Sequence, residues 1–209
     1  MTGSGSAVFA FASRECSVPE LSMQTFLISA GTVTLGEIGD KTQLLALLLA
    51  ARFRKPWPIA LGILVATLVN HAASAWLGME ISRFLSPDIL RWVVAVSFIA
   101  VALWTLKPDK LDEGDEKLPA YGAFLATTIA FFLAEIGDKT QIATALLGAK
   151  YSPLWQVVAG TTVGMLIADL PVIWLGSRFA GRLNLQYARY AAAAVFLALG
   201  LWAAIHGVG

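Results

Sequence analysis

The sequence is poor in the residues on which soluble proteins and most metalloenzymes rely. Cysteine occurs once, at Cys16, which excludes an internal disulfide and any thiolate metal cluster. Histidine occurs twice, and charged residues make up only 14% of the chain, far short of what a solvated surface needs. Neither sign of charge dominates. The formal net charge is +1, without the clustered basic face that holds nucleic acid. A basic start followed by a long apolar core, the mark of a secretory signal, is also missing. Met1–Ser22 reads as a flexible leader whose apolar piece, Ala7–Ala12, is too short to span a bilayer, with Met23 as an alternative start.

What remains is apolar: 57% of the residues are hydrophobic and the mean hydropathy is +0.71. Six runs approach or exceed the ~20 residues a membrane-crossing helix needs. They are Gln24–Ala51, Trp57–Met79, Ile89–Leu106, Tyr121–Ala149, Pro153–Gly176 and Tyr187–His206. The chain therefore reads as an all-α membrane protein with six transmembrane helices. Trp57, Trp92, Trp155 and Tyr187 lie near helix ends, where interfacial aromatics are expected.

The two halves match without a gap at an offset of 98 residues: Glu37 with Glu135, Trp57 with Trp155, Gly62 with Gly160, Arg91 with Arg189, Trp104 with Trp202. The expected units are a leader (1–22), a three-helix repeat (23–106), an acidic linker (107–119) and a second three-helix repeat (120–209). Three crossings per unit is an odd number, so the second copy enters the membrane from the opposite side. The repeats are inverted, an architecture that places substrate sites near the midplane. Loop lysines and arginines set the orientation. Arg52, Arg54, Lys55, Lys107, Lys110, Lys117, Arg178, Arg182 and Arg189 lie on one side, against Arg14, Arg83, Arg91 and Lys150 on the other. The richer side is expected to be cytoplasmic, with both termini outside and the linker inside.

Inside this apolar background one heptapeptide occurs twice, as Glu37-Ile38-Gly39-Asp40-Lys41-Thr42-Gln43 and as Glu135-Ile136-Gly137-Asp138-Lys139-Thr140-Gln141. An ionisable group at membrane depth costs about 2.5–3.5 kcal/mol even on a lenient scale and marks an ion or substrate path. In a continuous helix Glu37, Asp40 and Gln43 form one stripe, repeated by Glu135, Asp138 and Gln141. Inversion brings the stripes face to face, converging four carboxylates and two amide oxygens. Such oxygens suit hard divalent cations, whereas zinc and copper sites recruit His or Cys. A metal and protons then compete for the same oxygens, the minimal chemistry of a cation/proton antiporter.

Lys41 and Lys139 are expected to pair with Glu37 and Glu135 one turn earlier on their own helices, compensating part of the charge. Thr42 and Thr140 fall off the acidic stripe, so bonding to their own helix is preferred over capping a broken helix or binding metal. For Gly39 and Gly137 close helix packing is preferred over an unwound helix that offers carbonyls. Asp169 is a candidate ligand or proton relay, and its repeat mate His71 is a candidate relay or a hydrogen-bonded helix contact.

With these features in place the chain resembles a family of membrane cation/proton exchangers marked by two Glu-x-Gly-Asp-Lys-Thr/Ser motifs. That family includes bacterial manganese exporters and Golgi and chloroplast manganese/calcium transporters. The likeness runs from Met23 to about His206. It implies that Glu37, Asp40, Glu135 and Asp138 bind the transported metal; Gln43, Gln141, Thr42, Thr140 and Asp169 stay as further candidates on their own chemistry. It also implies a cytoplasmic linker and no resident cofactor, the metal being cargo. Export of Mn2+ across a bacterial inner membrane is the expected activity, with Ca2+/H+ exchange as the alternative. An intramembrane lipid-phosphate hydrolase is the rival of another class. It needs arginines clamping phosphate, and every arginine here lies in a loop, near a helix end or in the leader. Expected partners are the divalent cation, protons and the lipid bilayer.

Overall fold

A computed structural model describes residues 18–107, 122–175 and 185–207. Most of the leader and of the linker lie outside the described residues, as do Gly176, Arg178 and Arg182 and the side chains of Tyr187 and Arg189. Every regular element among the described residues is a helix. They are α1 (Val18–Glu37), α2 (Lys41–Phe53), α3 (Pro56–Phe84), α4 (Pro87–Thr105), α5 (Ala123–Glu135), α6 (Lys139–Lys150), α7 (Leu154–Leu175) and α8 (Leu185–His206).

Helix starts follow local chemistry. Proline stands in the first turn of α3 and of α4, where its missing N–H costs nothing and its fixed φ is already helical. Ser86 caps α4, its hydroxyl accepting from the Ile89 N–H at 3.4 Å. Arg54 ends α2 in the left-handed region, φ 53°.

Two of the six expected spans are not single helices. The first is divided into α1 and α2 and the fourth into α5 and α6, each at the repeated heptapeptide. The halves α5 and α6, with 13 and 12 residues, are each too short to cross a bilayer and do so only end to end. By contrast α3, α4 and α7 are each long and apolar enough alone. The 98-residue offset survives in three dimensions: it relates the end of α1 to that of α5 and the starts of α2, α3 and α4 to those of α6, α7 and α8. This is the 3+3 inverted repeat.

The repeats interlock rather than stand side by side. α1 packs on α7 and its mate α5 on α3, while α3 packs on α6 and α2 on α7. Small residues permit this closeness. A methyl on Gly78 would sit 1.8 Å from the Ala145 carbonyl oxygen, and one on Gly160 2.5 Å from that of Phe26. Two apolar clusters result. One gathers Val94, Phe98, Ala143, Leu147 and Phe196, the other Val33, Leu45, Leu49, Ile63, Phe131 and Met165. Trp57, Trp92 and Trp155 are exposed at the starts of α3, α4 and α7, as interfacial aromatics are.

A cross-braced acidic centre at two helix breaks

Both breaks are made the same way. Gly39 and Gly137 adopt φ of 84° and 76°, a left-handed conformation open to glycine and costly for residues with a Cβ. The chain turns, with Asp40 N–H bonded to the Glu37 carbonyl at 3.0 Å and Asp138 N–H to that of Glu135 at 3.1 Å. The glutamine three residues beyond the aspartate returns to seal the gap. Gln43 Oε1 accepts from the Gly39 N–H at 2.9 Å, and Gln141 Oε1 from the Gly137 N–H at 2.7 Å. An unwound segment inside an apolar medium must satisfy its backbone groups, and each motif carries its own acceptor for that purpose.

The break itself overturns the preference for close packing at Gly39 and Gly137, and three further expectations that assumed a continuous helix fall with it. First, Glu37 and Asp40 do not share a helical stripe. Each glutamate is the last residue of one helix and each aspartate the N-cap of the next. Second, the threonines turn toward the acids. Thr42 donates a hydrogen bond to Glu37 Oε2, and Thr140 Oγ1 lies 3.1 Å from Asp138 Oδ2 and 3.4 Å from Glu135 Oε2. Third, the ion pairs described for the lysines run to the aspartate of the other motif and not along their own helix. Lys139 Nζ lies 2.8 Å from Asp40 Oδ1, and Lys41 Nζ lies 3.8 Å from Asp138 Oδ1. Each lysine reaches across to the other repeat, so the N-termini of α2 and α6 meet at the centre. Their dipoles favour the negative charge gathered there.

Three carboxylates converge. One oxygen from each of Glu37, Glu135 and Asp138 lies within 4.8 Å of the other two, and all three residues are buried. Two oxygens sharing one hard cation are separated by at most about 4–5 Å, twice the metal–oxygen distance. The trio is therefore of a size that one divalent ion can bridge. Asp40, buried like the others, is held instead by Lys139. Of the remaining candidates, both glutamine oxygens are engaged with the glycine N–H groups.

Asp169 is fully buried in α7, and neither of its carboxylate oxygens has a hydrogen-bond partner among the described residues. It lies within reach of the charge of Glu37 and of Glu135. His71, buried in α3, likewise shows no hydrogen bond at either ring nitrogen. Its neighbour Asn70 donates to the Phe132 carbonyl at 3.1 Å, tying α3 to α5. Five buried carboxyl groups thus face two lysines. The excess negative charge requires protons or a metal ion to be tolerable in low dielectric. The glutamine seal was missed by sequence reasoning. Its signal was the Gly-x-x-x-Gln spacing, present in both copies.

A family model described as "Divalent cation/proton antiporter GDT1" matches residues 25–113 and 123–209. A Vibrio cholerae protein named "Putative manganese exporter" is 54% identical over 180 residues, covering 86% of this chain and 90% of its own. GDT1-like protein sll0615 of Synechocystis is 28% identical over 73% of this chain and 82% of its own. GDT1-like protein 5 of Arabidopsis thaliana is 26% identical over 86% and 94%. No solved structure matches the chain. These matches span both halves and both breaks: the chain belongs to the GDT1 family of divalent cation/proton antiporters, transporters rather than enzymes, for which the metal is cargo.

Proposed function

We propose that this protein exports Mn2+ from the cytoplasm in exchange for protons, with both cations competing for the carboxylates of Glu37, Glu135, Asp138 and Asp40. The observation that carries the reading is the buried trio of carboxylate oxygens within 4.8 Å of one another, built where two helix breaks meet. The metal enters the trio, displaces its protons and is neutralised by the ionised carboxylates. Protons arriving from the other side take up the same oxygens and release it. Lys41 and Lys139 balance the remaining charge, and Thr42 and Thr140 orient the glutamates through their hydroxyls. Asp169, facing the trio's charge from α7, serves as a proton relay or an added ligand, and His71 as a relay on the opposite repeat.

Mn2+ is favoured over Ca2+ because a relative 54% identical over most of the chain is named as a manganese exporter. In this reading two repeats, 23–106 and 120–209, are joined by a cytoplasmic linker at 107–119. The protein sits in a bacterial inner membrane with both termini outside, on the strength of the lysine and arginine imbalance between loops.

The test is purified protein in liposomes with an internal pH dye, challenged in turn with Mn2+, Ca2+ and Mg2+. Mn2+ is expected to drive proton movement in the wild type and not in Glu37→Gln or Asp138→Asn. Unchanged proton movement in either variant refutes the site. A stronger response to Ca2+ than to Mn2+ replaces the manganese reading with the calcium one.

A further inference from the structure

The two lysine–aspartate braces are repeat mates, yet they are in different states. Lys139 and Asp40 are in full contact at 2.8 Å, with side chains 2% and 0% exposed. Lys41 and Asp138 stand at 3.8 Å, and Lys41 is 17% exposed. The aspartate in the tight brace is outside the carboxylate trio, while the aspartate in the loose brace is inside it.

The surroundings are asymmetric as well. α8 packs on α1, and α4 packs on α6. The Phe196 ring sits against Gly36, 3.2 Å from where a Cβ would be, and stacks on Phe98 at 6.4 Å between centroids. At the 98-residue offset the mates of Gly36 and Phe196 are Ala134 and Phe98.

We propose that the metal has two alternative ligand sets, Glu37–Glu135–Asp138 and Glu37–Glu135–Asp40, and that Lys139 and Lys41 act as positioning residues that select between them. The proposal rests on the reading of these carboxylates as the metal site. A lysine ammonium held at 2.8 Å claims a carboxylate that a metal ion also needs, and two cations in low dielectric exclude each other from it. Exchanging the conformations of the two halves through the pseudo-two-fold closes Lys41 on Asp138 and opens Lys139 from Asp40. The same exchange carries Phe98 onto Ala134. One aspartate is released at a time, so the cation passes from Asp138 to Asp40 as the α4–α8 pair shifts from α1 and α6 toward α5 and α2. The two glutamates belong to both sets and hold the ion during transfer.

Cross-linking in membranes with a short bifunctional thiol reagent, which spans the length of the lost phenylalanine ring as a direct disulfide does not, tests this in a Cys16→Ser background. The pair Gly36→Cys with Phe196→Cys reports the arrangement described above, and Ala134→Cys with Phe98→Cys reports its exchanged form. Both cross-links are expected to form. Lys139→Gln should shift their ratio toward the Ala134/Phe98 pair by about tenfold or more, given what removing one partner of a buried ion pair costs. Lys41→Gln should shift it the other way, and Lys139→Arg and Lys41→Arg should restore it. If the Ala134/Phe98 link never forms, or if both glutamine variants shift the ratio in the same direction, the proposal is wrong. Should one glutamine variant not accumulate, the direction of the other decides. Calorimetric Mn2+ binding to wild type and Glu37→Gln tests the underlying site separately. Equal binding by both refutes that reading whatever the cross-links show.

Discussion

The two copies of the heptapeptide are spelled identically and share a backbone path, but they are not in the same environment. Around the first break Gln43 is buried, and besides sealing Gly39 it donates to the Ala168 carbonyl at 2.9 Å. Around the second break Gln141 is half-buried and Gly137 exposed. Asp40 is tightly braced and Asp138 loosely. Identical letters cannot cause this difference. It comes from residues outside the motif that break the repeat, such as Ala168 against Asn70, Asp169 against His71 and Gly36 against Ala134, and from where α4 and α8 rest. The motif supplies the chemistry, and the surroundings decide which copy holds which state.

The largest effect is expected where the copies act alike. Glu37→Gln and Glu135→Gln should each weaken calorimetric Mn2+ binding by more than ~100-fold, beyond the 10–100-fold typical of supporting residues. A large inequality between them would show that one glutamate is dispensable. Next comes the glutamine seal, where the copies should differ. Gln43→Ala strands a part-buried backbone N–H and a buried carbonyl, costing about 2–3 kcal/mol, whereas Gln141→Ala should cost about 1. Thermal unfolding in detergent reads the gap, and a reversed order would contradict the burial assigned to the two breaks. The smallest contrast is at the glycines. Gly39→Ala and Gly137→Ala should each lose about 1–2 kcal/mol, because their φ values are nearly equal. Unequal losses would locate a difference in the backbone itself.

Much of this architecture was legible before any coordinates. The gapless offset of 98 residues specified the repeat, and three crossings per unit specified its inversion, because parity depends on counting and not on packing. The breaks were not legible for a physical reason. Glycine is common in membrane helices as a packing residue, and Glu and Lys at i and i+4 are the ordinary signature of an intrahelical pair. Both default readings assume an intact helix. Once Gly39 and Gly137 unwind, the same spacing directs Lys41 and Lys139 across the axis and turns Thr42 and Thr140 inward. Asp169 and His71 stood out in the sequence as polar residues in apolar runs. Their lack of hydrogen-bond partners among the described residues became visible only with the fold.

The cross-brace has a consequence for how the chain is made. Lys139 follows its partner Asp40 by 99 residues. At a synthesis rate of about 5–20 residues per second, the aspartate is made on the order of 5–20 s before that lysine exists. During that interval the first half is a nascent product whose cross-brace is not yet made. Within that half Thr42 shelters Glu37, but the brace on Asp40 has yet to be translated. The tight brace on the first helix break is therefore completed only when the second half arrives, which couples the two halves in assembly as well as in the finished fold.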